Sequence, residues 1–207
     1  MILQQIYRKV RNVFRGLVQR YGTADIKKWL WDTEFASGRW DCLDNMAEDC
    51  LYPYVEKYAR QGSILDLGCG PGATGNELNA DRYSFYTGVD ISEVAIERAH
   101  GRTKRNHRSS KNEYHQSDIY NYAPACPYDV IVLGDSIYYI PKRQIGTMLH
   151  RYADYLNRGG VFIARIRGAH PSILAIIERE FLVIEKQLHS DSEICVIVFR
   201  PLVQLPG

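Results

Sequence analysis

Three glycines at alternate positions, Gly68, Gly70 and Gly72, follow a short apolar run at residues 63–67 and precede a helical pattern. Strand, glycine turn and helix start, in that order, build a ligand site at the C-terminal edge of an open α/β sheet. Glycine is needed there because the backbone takes positive φ or must approach a ligand closely. The spacing alone also fits a dinucleotide turn, since Gly68, Gly70 and Ala73 satisfy G-x-G-x-x-G/A. Asp66 separates the two readings. A carboxylate beside the turn opposes a pyrophosphate, which favours helix N-termini and positive charge. It suits a cationic ligand.

Asp90 stands 22 residues past Gly68, at the end of a second strand over 85–90. From that strand end an acid can accept both hydroxyls of a ribose. The alternative is an acid that merely caps the next helix, but Ser92 is the better cap. Ile91 would then cover one face of a base. A nucleoside bearing ammonium and sulfonium groups satisfies all of these demands.

The run Asp66-Leu67-Gly68-Cys69-Gly70-Pro71-Gly72 resembles the first motif of the class I S-adenosylmethionine (SAM) dependent methyltransferases. Ser117-Asp118-Ile119 resembles that family's adenine motif. The resemblance implies that Asp118 accepts the adenine exocyclic N–H and that the backbone of Ile119 reads a ring nitrogen. It extends over about residues 60 to 200 with four motifs in order. It also implies a Rossmann-like α/β fold with a seven-stranded sheet of order 3-2-1-4-5-7-6, the last strand antiparallel. Residues 1–60 would form an amphipathic helix and a helical lid, and residues 61–207 the SAM-binding domain.

The remaining pattern fits that sheet. A helix is expected to residue 79, then one over 93–101, a strand over 113–116 and a buried strand over 128–133. That strand opens into Gly134, Asp135, Ser136, Ile137, Tyr138, Tyr139 and Ile140, at the edge where the methyl group should point. A helix over 141–157 stopped by Gly159-Gly160, a strand over 161–165, a helix over 171–180 and strands over 181–188 and 193–199 complete the count.

Ahead of the glycine turn, residues 2–21 form an amphipathic helix with Ile2, Leu3, Ile6, Tyr7, Val10, Val13, Phe14, Leu17, Val18 and Tyr21 on one face. Arg8, Lys9, Arg11, Arg15 and Arg20 oppose them, and no acid occurs in the first 22 residues. Such a helix either packs over the domain or lies on anionic lipid. Residues 25–44 read as irregular, with Trp29, Trp31, Phe35 and Trp40 serving either the core or an acceptor-stacking lid. A helix over 43–60, capped by Asp41 or Asp44 and carrying Met46, would be kinked or divided at Pro53.

Charge narrows the acceptor. The chain carries +2 overall, so a +5 N-terminus leaves 21 basic and 24 acidic residues elsewhere. A mildly acidic body lacks the cationic track a nucleic-acid enzyme needs. The six cations Arg98, Arg102, Lys104, Arg105, Arg108 and Lys111 lie opposite the active edge and read as a solvated loop. Five cysteines without C-x-x-C give neither a disulfide framework nor a zinc site, and reduced cytoplasmic thiols follow. No run reaches the length of a membrane span. The cytoplasmic placement, if peripheral to a membrane, would use residues 2–21 at its inner face.

Methyl transfer is an in-line displacement, so alignment and desolvation can supply most of the catalysis. An amine acceptor needs only to be held neutral, whereas a hydroxyl needs a base. Asp135 could orient the acceptor, or bond the SAM amino group or a loop backbone. His170 is the best-placed histidine for a base, with an exposed helix start as the alternative. Tyr138 and Tyr139 offer flat faces for a sugar or other ring.

The acceptor expected is a small molecule or glycan methylated on oxygen or nitrogen, with S-adenosylhomocysteine as the other product. Residues 34–41 are similar to small bacterial methyltransferases of polysaccharide or glycolipid synthesis, and the strand-four run to nodulation-type N-methyltransferases. Methylation of protein or RNA, or SAM binding without transfer, are the alternatives.

Overall fold

The computed structural model describes residues 2–44, 48–189 and 193–202, with side chains in the first segment described for residues 10–43. Seven strands form one sheet: β1 (Ser63–Leu67), β2 (Phe85–Asp90), β3 (Asn112–Gln116), β4 (Tyr128–Gly134), β5 (Leu156–Arg167), β6 (Phe181–His189) and β7 (Ile194–Pro201). Their order is β3-β2-β1-β4-β5-β7-β6. The first five run parallel, and β7 is antiparallel to both β5 and β6. This is the sheet expected from the motifs.

The central strands are apolar on both faces because helices cover both. Alternate residues along a strand point to opposite sides. Leu65, Leu67, Ile131 and Leu133 therefore join one core cluster, while Ile64, Val130 and Val132 join the other. On the first side lie α6 (Lys142–Ala153) and α7 (Pro171–Glu180), contributing Met148, Leu149, Tyr152, Ile173 and Ile177. On the second lie α3 (Tyr52–Ala59) and α5 (Glu93–Arg105), contributing Val55, Ile96 and Ala99. Ser92 caps α5 by accepting the Ala95 N–H at 3.2 Å, as its position in the sequence demands.

Several expected boundaries are corrected. Residues 25–44 are not irregular: α2 (Ala24–Ala36) occupies most of them, started by Thr23, whose Oγ1 accepts the Ile26 N–H. The helix expected over 43–60 becomes a 3-10 turn at Asp41–Asp44 and the separate α3, with Pro53 in the first turn, where its missing N–H costs nothing. Asp41 pairs with Arg98 at 2.8 Å instead of capping, and Met46 lies outside the described residues. The helix after the glycine turn, α4 (Ala73–Glu77), is shorter than expected, and α5 runs four residues past Gly101.

Gly159-Gly160 do not stop α6, which ends at Ala153. They lie inside β5, where the register with β4 shifts, and Gly159 takes φ +85°. An irregularity in a strand needs the same permissive backbone as a helix stop, so the pair of glycines reads identically for both.

The basic run over 98–111 is not simply solvated. Arg98 bonds Asp41 and the Phe35 carbonyl, and Arg102 pairs with Glu77 at 2.6 Å. Arg108 donates to the Gly75 carbonyl at 3.1 Å and Lys111 to the Tyr83 carbonyl at 3.1 Å. Four of the six cations thus fasten loops to the domain.

The first helix, α1 (Ile2–Tyr21), has the expected extent but turns its polar side inward. Arg15 forms a two-pronged ion pair with the buried Glu34, one contact at 2.9 Å, and Arg20 donates to the Tyr138 carbonyl at 2.9 Å. Glu34 also accepts from Trp40 Nε1 at 3.0 Å. Gln19 is buried at 5% exposure, whereas Val10, Val13, Phe14, Leu17 and Tyr21 are all more than half exposed.

Candidate active site

One cavity of about 660 Å³ opens at the C-terminal edge of the sheet. That volume lies in the range of sites for small organic ligands. Its floor is the glycine turn between β1 and α4. Gly68 takes φ +84°, and a Cβ there would come within 2.6 Å of the Ser136 Cβ. Gly68→Ala is expected to lower stability by about 1–3 kcal/mol through left-handed strain and overpacking. Thermal denaturation checks this, and an unchanged midpoint would contradict it.

Two buried carboxylates flank the turn. Asp66, 2% exposed, accepts the Tyr86 hydroxyl at 2.6 Å. Asp90, 8% exposed, accepts the Gly70 N–H at 2.9 Å through Oδ2 and the Ser92 N–H at 2.9 Å through Oδ1. Burial pushes each carboxyl up to about 6, above its ordinary value. Asp90 thus braces the turn, but each carboxylate oxygen has a second lone pair for a ligand. Asp118, across the cavity, accepts the Tyr120 N–H at 2.9 Å.

Most of the expected cofactor residues meet here. Asp66, Gly68, Cys69, Gly70, Asp90, Ile91, Asp118, Ile119 and Gly134 all line the cavity. Gly72 and Ser117 do not. Gly72 serves packing instead, since a Cβ would meet Ala99 at 2.8 Å. Ser117 bonds backbone, donating its N–H to the Asp90 carbonyl at 2.9 Å. The site fits a SAM-type ligand: bare backbone for close approach, acids for its cationic end and its hydroxyls, and apolar walls for the base.

The other end of the cavity is aromatic. Trp31 lies 4.9 Å from Tyr139 edge-to-face and 5.8 Å from Trp40, and Tyr139 lies 4.8 Å from Tyr138. All four rings line the cavity, with Phe35. Burial raises the hydroxyls of Tyr138 and Tyr139, so they are proton donors rather than bases.

Asp135 also lines the cavity, at φ +55°, which is uncommon for a residue with a Cβ. Its N–H bonds the Arg165 carbonyl at 3.0 Å, and its Oδ2 meets the Arg165 guanidinium at 2.8 Å. Its Oδ1 is buried with no partner among the described residues. Arg165, 6% exposed, also pairs with Asp49. His170 is not brought to this centre. It stacks on Tyr138 with ring centroids 5.0 Å apart and an interplanar angle of 9°, and is absent from the cavity wall. Burial and the nearby Arg20 and Lys142 lower its pKa, leaving a neutral ring behind Tyr138.

Sequence reasoning missed three participants. Gln19 lines the cavity although it belongs to the N-terminal helix, and its Nε2 lacks a partner among the described residues. Arg165 and Asp49 are 116 positions apart in the chain, so nothing local announces their pairing.

An open sheet in this order, with a cavity over the β1–α4 turn and acids at the ends of β1 and β2, is the class I SAM-dependent methyltransferase fold. Residues 64–160, a little under half of the chain, match the family model described as a methyltransferase domain.

Among curated proteins, the chain is 27% identical over 150 residues to 27-O-demethylrifamycin SV methyltransferase of Amycolatopsis mediterranei, covering 66% of this chain and 52% of that protein. It is 25% identical over 131 residues to the mRNA cap guanine-N(7) methyltransferase of Cryptococcus neoformans, covering 54% of this chain and 20% of that protein. The chain therefore spans about half or less of the length of the curated relatives it matches. Among solved structures, N-methyltransferase NodS from Bradyrhizobium japonicum in complex with S-adenosylhomocysteine superposes with a TM-score of 0.67 at 23% identity, covering 85% of this chain and 98% of that one. The O-methyltransferase NcsB1 from neocarzinostatin biosynthesis gives 0.66 at 16% identity, covering 93% and 66%. At these identities the structural likeness concerns the fold.

Proposed function

We propose that the protein transfers a methyl group from SAM to an oxygen or nitrogen of a small-molecule or saccharide acceptor, lipid-linked saccharides included. The observation that carries this reading is the continuity of one cavity from the acid-flanked glycine turn to the aromatic wall. Asp66, Asp90 and Asp118 would hold the cofactor, with Gly68, Cys69, Gly70, Ile91, Ile119 and Gly134 shaping its bed. SAM when bound supplies an activated methyl on sulfonium. The protein's own work is then alignment and exclusion of water.

Trp31, Trp40, Tyr138 and Tyr139 would clasp a ring of the acceptor, with the helices of residues 1–60 as a lid. The unpartnered Oδ1 of Asp135 can accept an N–H or O–H from the acceptor and so aim its lone pair. The unpartnered Nε2 of Gln19 can donate to a second polar group. The activity test is release of S-adenosylhomocysteine with panels of amine, phenol and sugar acceptors. Binding of NAD in preference to SAM by calorimetry would overturn the reading.

Gln19→Ala is expected to raise the acceptor KM about tenfold, the value of one lost hydrogen bond in a buried site. The affinity for SAM should stay unchanged, because Gln19 stands away from the acid pair in the chain and in its role. A matching loss of SAM affinity would remove Gln19 from the acceptor side. RNA is a poorer acceptor, since Arg98, Arg102, Arg108 and Lys111, four of the six cations of the 98–111 run, are engaged within the domain.

A further inference from the structure

α1 sits on the domain the wrong way round for a core helix. An amphipathic helix ordinarily buries its apolar stripe and shows its charges to water. Here Arg15, Gln19 and Arg20 face the body, where they reach Glu34, the cavity wall and the Tyr138 carbonyl. Val10, Val13, Phe14, Leu17 and Tyr21 recur at spacings of three and four, so they share one face. Their exposures are 62%, 66%, 66%, 52% and 58%. Five large apolar side chains in one stripe form a patch of the kind that marks an interaction surface.

The charge on the same helix selects the occupant. It contains Arg8, Lys9, Arg11, Arg15 and Arg20 and no acid. Arg15 and Arg20 are spent inward, and Arg11 is exposed beside the apolar stripe. A second copy of the chain meeting this face would set one all-cationic helix against another, which Coulomb repulsion opposes. A membrane surface offers an apolar layer under an anionic one, and so matches both properties at once. No described helix is long and apolar enough to cross a membrane, so the contact is with the surface.

We infer that the outward face of α1 docks the protein on anionic lipid, with Val13, Phe14 and Leu17 entering the headgroup boundary and Arg11 held among the headgroups. Because α1 also carries Gln19 into the cavity wall, docking places the cavity behind a helix that lies on the membrane surface.

The test is flotation of the full chain with phosphatidylcholine vesicles with and without phosphatidylglycerol, at low and high salt, for the parent and a Phe14→Glu/Leu17→Glu variant. The parent should partition at least about fivefold more strongly onto anionic vesicles, as about one kcal/mol for a basic residue such as Arg11 near the surface implies. High salt should weaken this preference. The variant should lose it while keeping the parent's thermal midpoint and SAM affinity, since both side chains are exposed and outside the cavity. Equal flotation of parent and variant, or none of the parent, overturns the inference. So does parent self-association by sedimentation that the variant abolishes, which would make a second copy the occupant. SAM binding, measured separately, reports on the methyltransferase reading, so failure of one is distinguishable from failure of the other.

Discussion

Arg165→Met is expected to destabilise the folded protein by about 3–5 kcal/mol, the range for breaking a buried ion pair, and so to lower the thermal midpoint by about 10 °C. The Arg165 side chain is only 7% exposed and lies between Asp49 at 5% and Asp135 at 22%. Methionine keeps much of the buried stem, so the loss is electrostatic: Asp49 remains buried without its counter-charge. Arg167 cannot replace it, being 53% exposed and 3.8 Å from Asp135. The ion pair also helps hold the left-handed backbone at Asp135, together with the bond from its N–H to the Arg165 carbonyl. Adding Asp49→Asn should recover a large part of the lost stability by removing the orphaned charge, and the double-mutant cycle isolates this coupling. A loss below about 1 kcal/mol for Arg165→Met, the value of an exposed pair, or no recovery in the double variant, would show that the network carries no such weight.

The cofactor end of the site was legible because its determinants are local. Gly68, Gly70 and Asp66 sit within five residues, while Asp90 ends β2 and Asp118 follows β3 by two residues, and the parallel sheet order must bring both strand ends to the same edge. The aromatic end of the cavity was not legible in that way. Its walls come from Gln19 on α1, Trp31 on α2, Trp40 before the 3-10 turn, and Tyr138 after β4, and only tertiary packing collects them. His170 illustrates the same limit from the other side. Its place after β5 is at the active edge, but the ring of Tyr138 intervenes between it and the cavity. The periodicity of α1 gave the helix and its two faces correctly and left open which face meets the body. The buried Glu34 decided that, because a buried carboxylate needs a cationic partner more strongly than an apolar stripe needs cover.

SAM affinity is expected to rise with pH from 5 to 7, by about tenfold per pH unit below 6 for each carboxylate that must ionise to receive the cofactor. Asp66 and Asp90 are the groups responsible, both pushed by burial from 3.8 to about 6. The cofactor's α-amino group keeps its charge across most of that window, so the titration belongs to the protein. The stability of the unliganded protein should move the opposite way. With the folded pKa raised, the folded state holds protons between about pH 4 and 6 that the unfolded chain has released. Stability therefore falls as pH rises through that window, while the stabilisation added by SAM grows. Asp66→Asn separates the two carboxylates, because an amide oxygen can still accept the Tyr86 hydroxyl. It should make the pH dependence shallower by one proton and weaken binding at pH 7. Asp90→Ala should weaken binding about 10- to 100-fold, as expected for a lost charge-assisted hydrogen bond, and should also loosen the turn at Gly70 that Asp90 braces. Calorimetric titration across pH checks all three, and an affinity independent of pH between 5 and 7 would mean that neither carboxylate must ionise to receive the cofactor.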